Sequence, residues 1–103
     1  MVEKYRGDTF IFPFSYEDEQ LKFETGDIIR FGIKKACDCD DVILFKEIEV
    51  TETTEEIKII FEPEATKKIK PGDYLIELEL TRNGIVETCY RDKLKVEGDL
   101  IWK

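Results

Sequence analysis

The sequence predicts an all-β chain, an antiparallel sandwich or barrel of seven or eight strands. Three observations predict it. The dominant hydrophobic period is two rather than 3.6. Turn chemistry interrupts the pattern at intervals of about 8–14 residues. Only one stretch, Pro63 to Lys70, has helical character, with room for about two turns at most.

The elements follow in order. Phe10, Phe12 and Phe14 alternate with Thr9, Ile11 and Pro13, which gives a strand with one aromatic face, expected in the core with Phe31 and Phe61. Proline cannot donate to a ladder, so this strand belongs at an edge or carries a bulge. Before it, Arg6-Gly7-Asp8 matches an adhesion tripeptide, but Gly-Asp more simply turns the chain into the strand. Ser15 to Gln20 is polar and reads as a turn. Leu21-Lys22-Phe23 has room for a short strand, and Gly26-Asp27 is a turn signal. From Ile28 to Ala36, Ile29, Phe31 and Ile33 form one face; Arg30, Gly32 and Lys34 form the other. Such alternation marks a half-buried antiparallel strand.

An acidic loop, Cys37-Asp38-Cys39-Asp40-Asp41, leads to the strand Val42 to Val50. There Leu44, Ile48 and Val50 share a face, and the pattern switches near Phe45, which indicates a bulge or a twist. Ile57, Ile59 and Phe61 make the next apolar face. In the helical stretch Ala65 and Ile69 lie four apart, as a single turn plugging one end of the core requires. Pro71-Gly72-Asp73 stops it. Tyr74, Ile76, Leu78 and Leu80 form the clearest strand face. Tyr74 reads as a corner residue, ring inward and hydroxyl on nearby backbone. Asn83-Gly84 is a two-residue hairpin signal, because both central positions of a type I′ turn need positive φ. Ile85 to Tyr90 is the partner strand, and Leu94-Lys95-Val96 either extends it or begins another. Leu100-Ile101-Trp102-Lys103 is a short apolar tail. The 103 residues suit a single domain, residues 1–103, with a core over about 7–98 and a tail at 99–103.

Composition bounds function. Sixteen Lys and Arg against 24 Asp and Glu give a net charge of −8. An acidic chain with scattered cations repels phosphate backbones, so no nucleic-acid partner is expected. No apolar run approaches the length of a membrane helix, and Met1 to Arg6 has no apolar core of a signal peptide. Neither membrane nor secretory leader is expected. Three cysteines, Cys37, Cys39 and Cys89, are an odd count that fits a reducing compartment.

Chemistry-bearing patterns are sparse. There is no histidine, and the one serine, Ser15, has no base beside it in sequence. The sequence therefore points away from an enzyme and implies no cofactor. The pairs Glu47/Glu49 and Glu77/Glu79 alternate with apolar residues, as on a solvated sheet face. Cys37-x-Cys39 lacks the spacing and second pair of structural zinc. Asp38, Asp40 and Asp41 are a weak cation candidate in oxygen ligands.

The order of signals carries a resemblance. Arg6-Gly7-Asp8-Thr9-Phe10 opens a strand, and Ile29-Arg30-Phe31-Gly32-Ile33-Lys34-Lys35 leads into an acidic loop. Lys70-Pro71-Gly72-Asp73-Tyr74 precedes Glu77-Leu78-Glu79-Leu80, then Arg82-Asn83-Gly84, then Leu94-Lys95-Val96-Glu97-Gly98-Asp99. Across nearly the whole chain this resembles small immunoglobulin-like proteins of phages and prophages of Gram-positive bacteria. It is especially similar to the N-terminal domain of phage baseplate upper proteins. The resemblance implies an immunoglobulin-like β-sandwich and a non-enzymatic tail or baseplate part. It implies contacts with other virion proteins or with further copies, located in the virion or, during assembly, in the bacterial cytoplasm. The family brings no catalytic residues. The candidate contact residues are Asn83 and Gly84 at the hairpin tip and Leu100, Ile101 and Trp102 in the tail. The rival reading is a carbohydrate- or cell-surface-binding module of similar fold. It needs an exposed aromatic platform, for which Tyr16, Tyr90 and Trp102 are the candidates.

Overall fold

A computed structural model describes residues 1–36 and 42–98. Among these residues seven strands and one helical turn succeed each other: β1 (Val2–Tyr5), β2 (Phe10–Ser15), β3 (Ile28–Lys35), β4 (Val42–Glu49), β5 (Glu56–Phe61), α1 (Pro63–Thr66), β6 (Gly72–Arg82) and β7 (Ile85–Glu97). The chain is all-β, as the period of two requires. Leu94-Lys95-Val96 extends β7 rather than beginning a new strand.

Two sheets form. One has the order β1-β7-β6-β3-β4; the other is the ribbon β2-β5. The expectation of a purely antiparallel sheet is corrected, because β1 runs parallel to β7, with Val2 opposite Leu94 and Tyr5 opposite Glu97. The sequence reading leaves β1 unassigned. Its parity is inverted: Lys4 lies opposite the buried Val96, while Tyr5 faces outward and is exposed.

Side chains of the two sheets meet in an aromatic centre. Phe31 of β3 meets Phe12 of β2 with ring centroids 4.7 Å apart and Phe61 of β5 at 6.0 Å. Ile29, Phe31 and Ile33 are fully buried, and so are Ile59 and Ile76; Leu78, Leu80, Leu94 and Val96 complete the face. Burying a large apolar side chain contributes about 1.5–3 kcal/mol, so this layer supplies the driving force. Phe14, expected in the core, is half-buried and packs on Phe31 and Tyr90.

The ends of the core are closed by loops. The helical stretch is one turn, and Thr66 and Ile69 plug the core rather than Ala65 and Ile69. The Thr66 hydroxyl donates to the carbonyl of Asp8 at 2.6 Å, which ties the plug to the turn before β2. Tyr74 is the expected corner: its ring is buried and its hydroxyl donates to the carbonyl of Lys70. Leu21-Lys22-Phe23 forms a single bridge, Phe23 with Thr54, rather than a strand. Two bulges bend the large sheet. Ile33 pairs with Leu44 but Lys34 with Val42, which leaves Ile43 extra, two residues before the expected switch at Phe45. Leu78 pairs with Tyr90 but Glu79 with Thr88, which leaves Cys89 extra. Among the described residues, no helix is long and apolar enough to cross a membrane.

Candidate interaction surface

The Asn83-Gly84 turn is where the sequence places it. Both residues have positive φ, 52° and 76°, and Arg82 pairs with Ile85 across the turn. Asn83 is the one non-glycine residue with positive φ among those described. The right-handed twist of the flanking strands selects this geometry.

One buried ion pair anchors the hairpin. Asp27 is 2% exposed in the turn immediately before β3. Its carboxylate accepts from Arg82 Nε at 2.9 Å and Nη2 at 2.7 Å, and from the backbone N–H of Glu24 at 2.9 Å. Arg82 also donates to the carbonyl of Lys22 at 3.2 Å. The guanidinium bonds hold Asp27 below the ordinary carboxylate range, against the opposing effect of burial. The same bonds raise Arg82 further above its ordinary value. The β6–β7 hairpin therefore leaves the body of the sheet on a rigid base.

Beyond that base, β7 is open. β1 covers it only from Leu94 to Glu97, so Ile85 to Lys93 has no strand on its outer side among the described residues. Ile85 is 64% exposed and Val86 56%. The bulge at Cys89 interrupts this edge, as bulges do where a free edge is kept from pairing. Cys89 is exposed, and desolvation of its sulfur together with the Glu87 carboxylate holds the thiol above its ordinary pKa.

The small ribbon is closed instead. Lys4 of β1 donates to the carbonyl of Ile11 on β2 at 3.1 Å, with its ammonium 5.1 Å from the centre of the Phe12 ring. Lys46 of β4 donates to the carbonyl of Ile60 on β5, 5.4 Å from the Phe61 ring centre. Ile11 and Ile60 are register partners. Their carbonyls, taken by lysines of the opposite sheet, point out of the ribbon. Antiparallel pairs alternate between bonded and non-bonded, so Pro13 and Lys58, two positions along, form another outward-pointing pair. Pro13 thus costs the ladder nothing and removes a donor from the outer edge.

A third feature lies on the outer face of the large sheet. Gly32 sits in mid-strand between Phe45 of β4 and Glu77 of β6. A shallow hollow of about 170 Å³ opens there, lined by Gly32, Lys34, Val42, Leu75, Glu77 and Arg91. Phe45 is 56% exposed and Val42 57%. In the next row Arg30 pairs with Glu47 at 2.9 Å and reaches Glu79 at 3.8 Å. Arg91 meets Glu77 at 3.3 Å. Glu47 of β4 and both Glu77 and Glu79 of β6 are thus partners of cations on an exposed face.

Of the residues singled out from sequence, Asn83 and Gly84 are placed together at the hairpin tip. Asp38, Asp40 and Asp41 lie outside the described residues, and so do Leu100, Ile101 and Trp102. Tyr16 packs on Phe23, with ring centroids 4.9 Å apart. Tyr90 packs on Phe14 and donates to Asp92 at 2.9 Å. Both tyrosines are half-buried. Sequence reasoning missed Ile85, Val86, Val42 and Phe45. A signal existed: Phe45 shares its parity with Glu47 and Glu49, and Ile85-Val86 are adjacent, so one of them must face out. Compared with known proteins, the chain matches no family model, no curated sequence and no solved structure at a significant level.

Proposed function

We propose that this chain is a non-enzymatic assembly module that works through protein–protein contacts, built as an immunoglobulin-like sandwich. The observation that carries the reading is the distribution of exposed apolar side chains. Tyr5, Val42, Phe45, Ile85 and Val86 are more than half exposed on the five-stranded sheet and its hairpin, against Ile11, at 43%, on the ribbon among the described residues. The ribbon edges are meanwhile blocked by Lys4, Lys46 and Pro13. A chain that protects some edges and presents apolar groups elsewhere directs association to one side. The likeness of its ordered motifs to phage baseplate and tail domains supports a part in such an assembly, with copies of itself or other virion proteins as partners. The packing of Tyr16 on Phe23 and of Tyr90 on Phe14, against the edge of the core, favours this over a sugar-binding platform, which needs aromatic faces free to stack.

Light scattering after size exclusion, over a range of concentrations and with reductant, tests the reading. A defined oligomer is expected. A variant with lysine at Val42, Phe45, Ile85 and Val86 should remain folded and monomeric. A wild-type protein that is monomeric throughout, indistinguishable from that variant, would contradict it.

A further inference from the structure

We infer that the outer face of β3 and β4, centred on Gly32 and Phe45, is a self-association surface on which a second copy docks by two-fold symmetry. This rests on the assembly reading above and names the surface and the occupant.

Gly32 is the first ground. Glycine inside a strand weakens it and often marks a close approach by a ligand or another chain. The backbone does not require it, since Gly32 is absent from the positive-φ residues. Packing does not require it either. A Cβ there would meet Val42 Cγ1 at 3.8 Å and the Leu44 carbonyl at 4.0 Å, which is ordinary contact. Nor does the neighbouring aromatic cover it, because no atom of Phe45 comes within 4 Å of that position. An uncovered glycine and an exposed phenylalanine therefore sit side by side in one register row.

Self-complementarity is the second ground. In an isologous contact each residue i of one copy meets j of the other, and j meets i. A two-fold axis along the strands, between β3 and β4, exchanges the register partners of these strands. It lays Phe45 of each copy over Gly32 of the other. It also lays Glu47 over Arg30 and Val42 over the aliphatic stem of Lys34, all register pairs in this sheet. A knob meets a hole, a carboxylate meets a guanidinium, and an apolar side chain meets an alkyl stem. Arg91 at the rim of the hollow adds a cation beside the seated ring. The chain carries −8 overall, so a general approach of two copies is repelled. On this face Lys34, Arg30 and Arg91 stand against Glu47, Glu49, Glu77 and Glu79, close to balance, so like-charge repulsion is weaker here than over the chain as a whole. Two strands of footprint make a small interface, and the association is correspondingly weak.

Sedimentation velocity across a concentration series tests the inference on the wild type and five variants. Phe45→Glu should weaken self-association about tenfold or more, the loss expected of a central aromatic anchor. Gly32→Val should do the same while keeping or raising the melting temperature, which separates a blocked hole from a damaged fold. Arg30→Glu should weaken association, and Arg30→Glu with Glu47→Arg should restore it. The pair Ile85→Lys, Val86→Lys should leave it unchanged. If Phe45→Glu and Gly32→Val retain the wild-type association and the hairpin pair abolishes it, this inference is overturned while the assembly reading stands. A wild type monomeric at every concentration overturns both.

Discussion

Replacing Asp27 with asparagine keeps the side chain's shape and removes its charge, at a position 2% exposed. Three donors converge on its two oxygens: Arg82 Nε at 2.9 Å, Arg82 Nη2 at 2.7 Å and the Glu24 N–H at 2.9 Å. An asparagine has one acceptor, so its amino group must face a donor whichever way it turns. Hydrogen bonds to charged groups contribute about 1.5–3 kcal/mol each, and breaking a buried pair costs about 3–5 kcal/mol. Arg82 is 34% exposed and regains water, which discounts the upper end. The expected loss is about 2–3 kcal/mol. At an unchanged slope of about 1–3 kcal/mol/M, urea unfolding at pH 7 should show the midpoint lowered by about 0.7–3 M. The pH dependence follows from the direction of the shift. The folded carboxylate titrates below its ordinary value, mainly because of Arg82. Its stabilisation is complete above the unfolded pKa, about 3.9, and is lost as pH falls through the lower folded value. The gap between wild type and Asp27→Asn should therefore close in acid. A gap under about 0.5 kcal/mol at pH 7, or one that stays constant to about pH 2, would refute the reasoning.

Three further outcomes follow from the same geometry. Asn83→Ala should destabilise the hairpin by about 1–2 kcal/mol, because alanine bears the cost of positive φ; thermal unfolding reads it, and Asn83→Gly should be close to neutral. Thr66→Val should cost about 1–2 kcal/mol, since it orphans the Asp8 carbonyl beside a fully buried side chain; the urea midpoint measures it. Lys4→Met with Lys46→Met should keep the fold but uncover the carbonyls of Ile11 and Ile60; turbidity on gentle heating should rise sooner than for wild type, as expected of an exposed edge.

Much of the fold is legible because its central strands obey one rule. Ile29, Phe31 and Ile33 of β3 and Tyr74, Ile76, Leu78 and Leu80 of β6 alternate cleanly, and all of them are buried. Asn83-Gly84 and Tyr74 are legible for a different reason, since each has one backbone role that few residues fill. What escapes is non-local. The parallel docking of β1 is set by where β7 leaves a free edge, and Lys4 disguises the strand by occupying an inward position. The bulge at Ile43 shows in sequence only as an irregular alternation, which does not fix its position to the residue. Gly26-Asp27 reads as a turn, and it is one; that Asp27 is buried depends on Arg82, 55 residues away. The contact surface is the least legible part, because an exposed Phe45 and a core phenylalanine differ only in parity.

The most direct test of the central claim, that association is directed to the five-stranded sheet and away from the ribbon, is the amide NMR spectrum followed through dilution. The account predicts concentration-dependent shifts at Arg30, Gly32, Val42 and Phe45, with none at Ile11, Pro13's neighbours or Lys58. Shifts along the β2 and β5 edges, or none anywhere at any concentration, would contradict it.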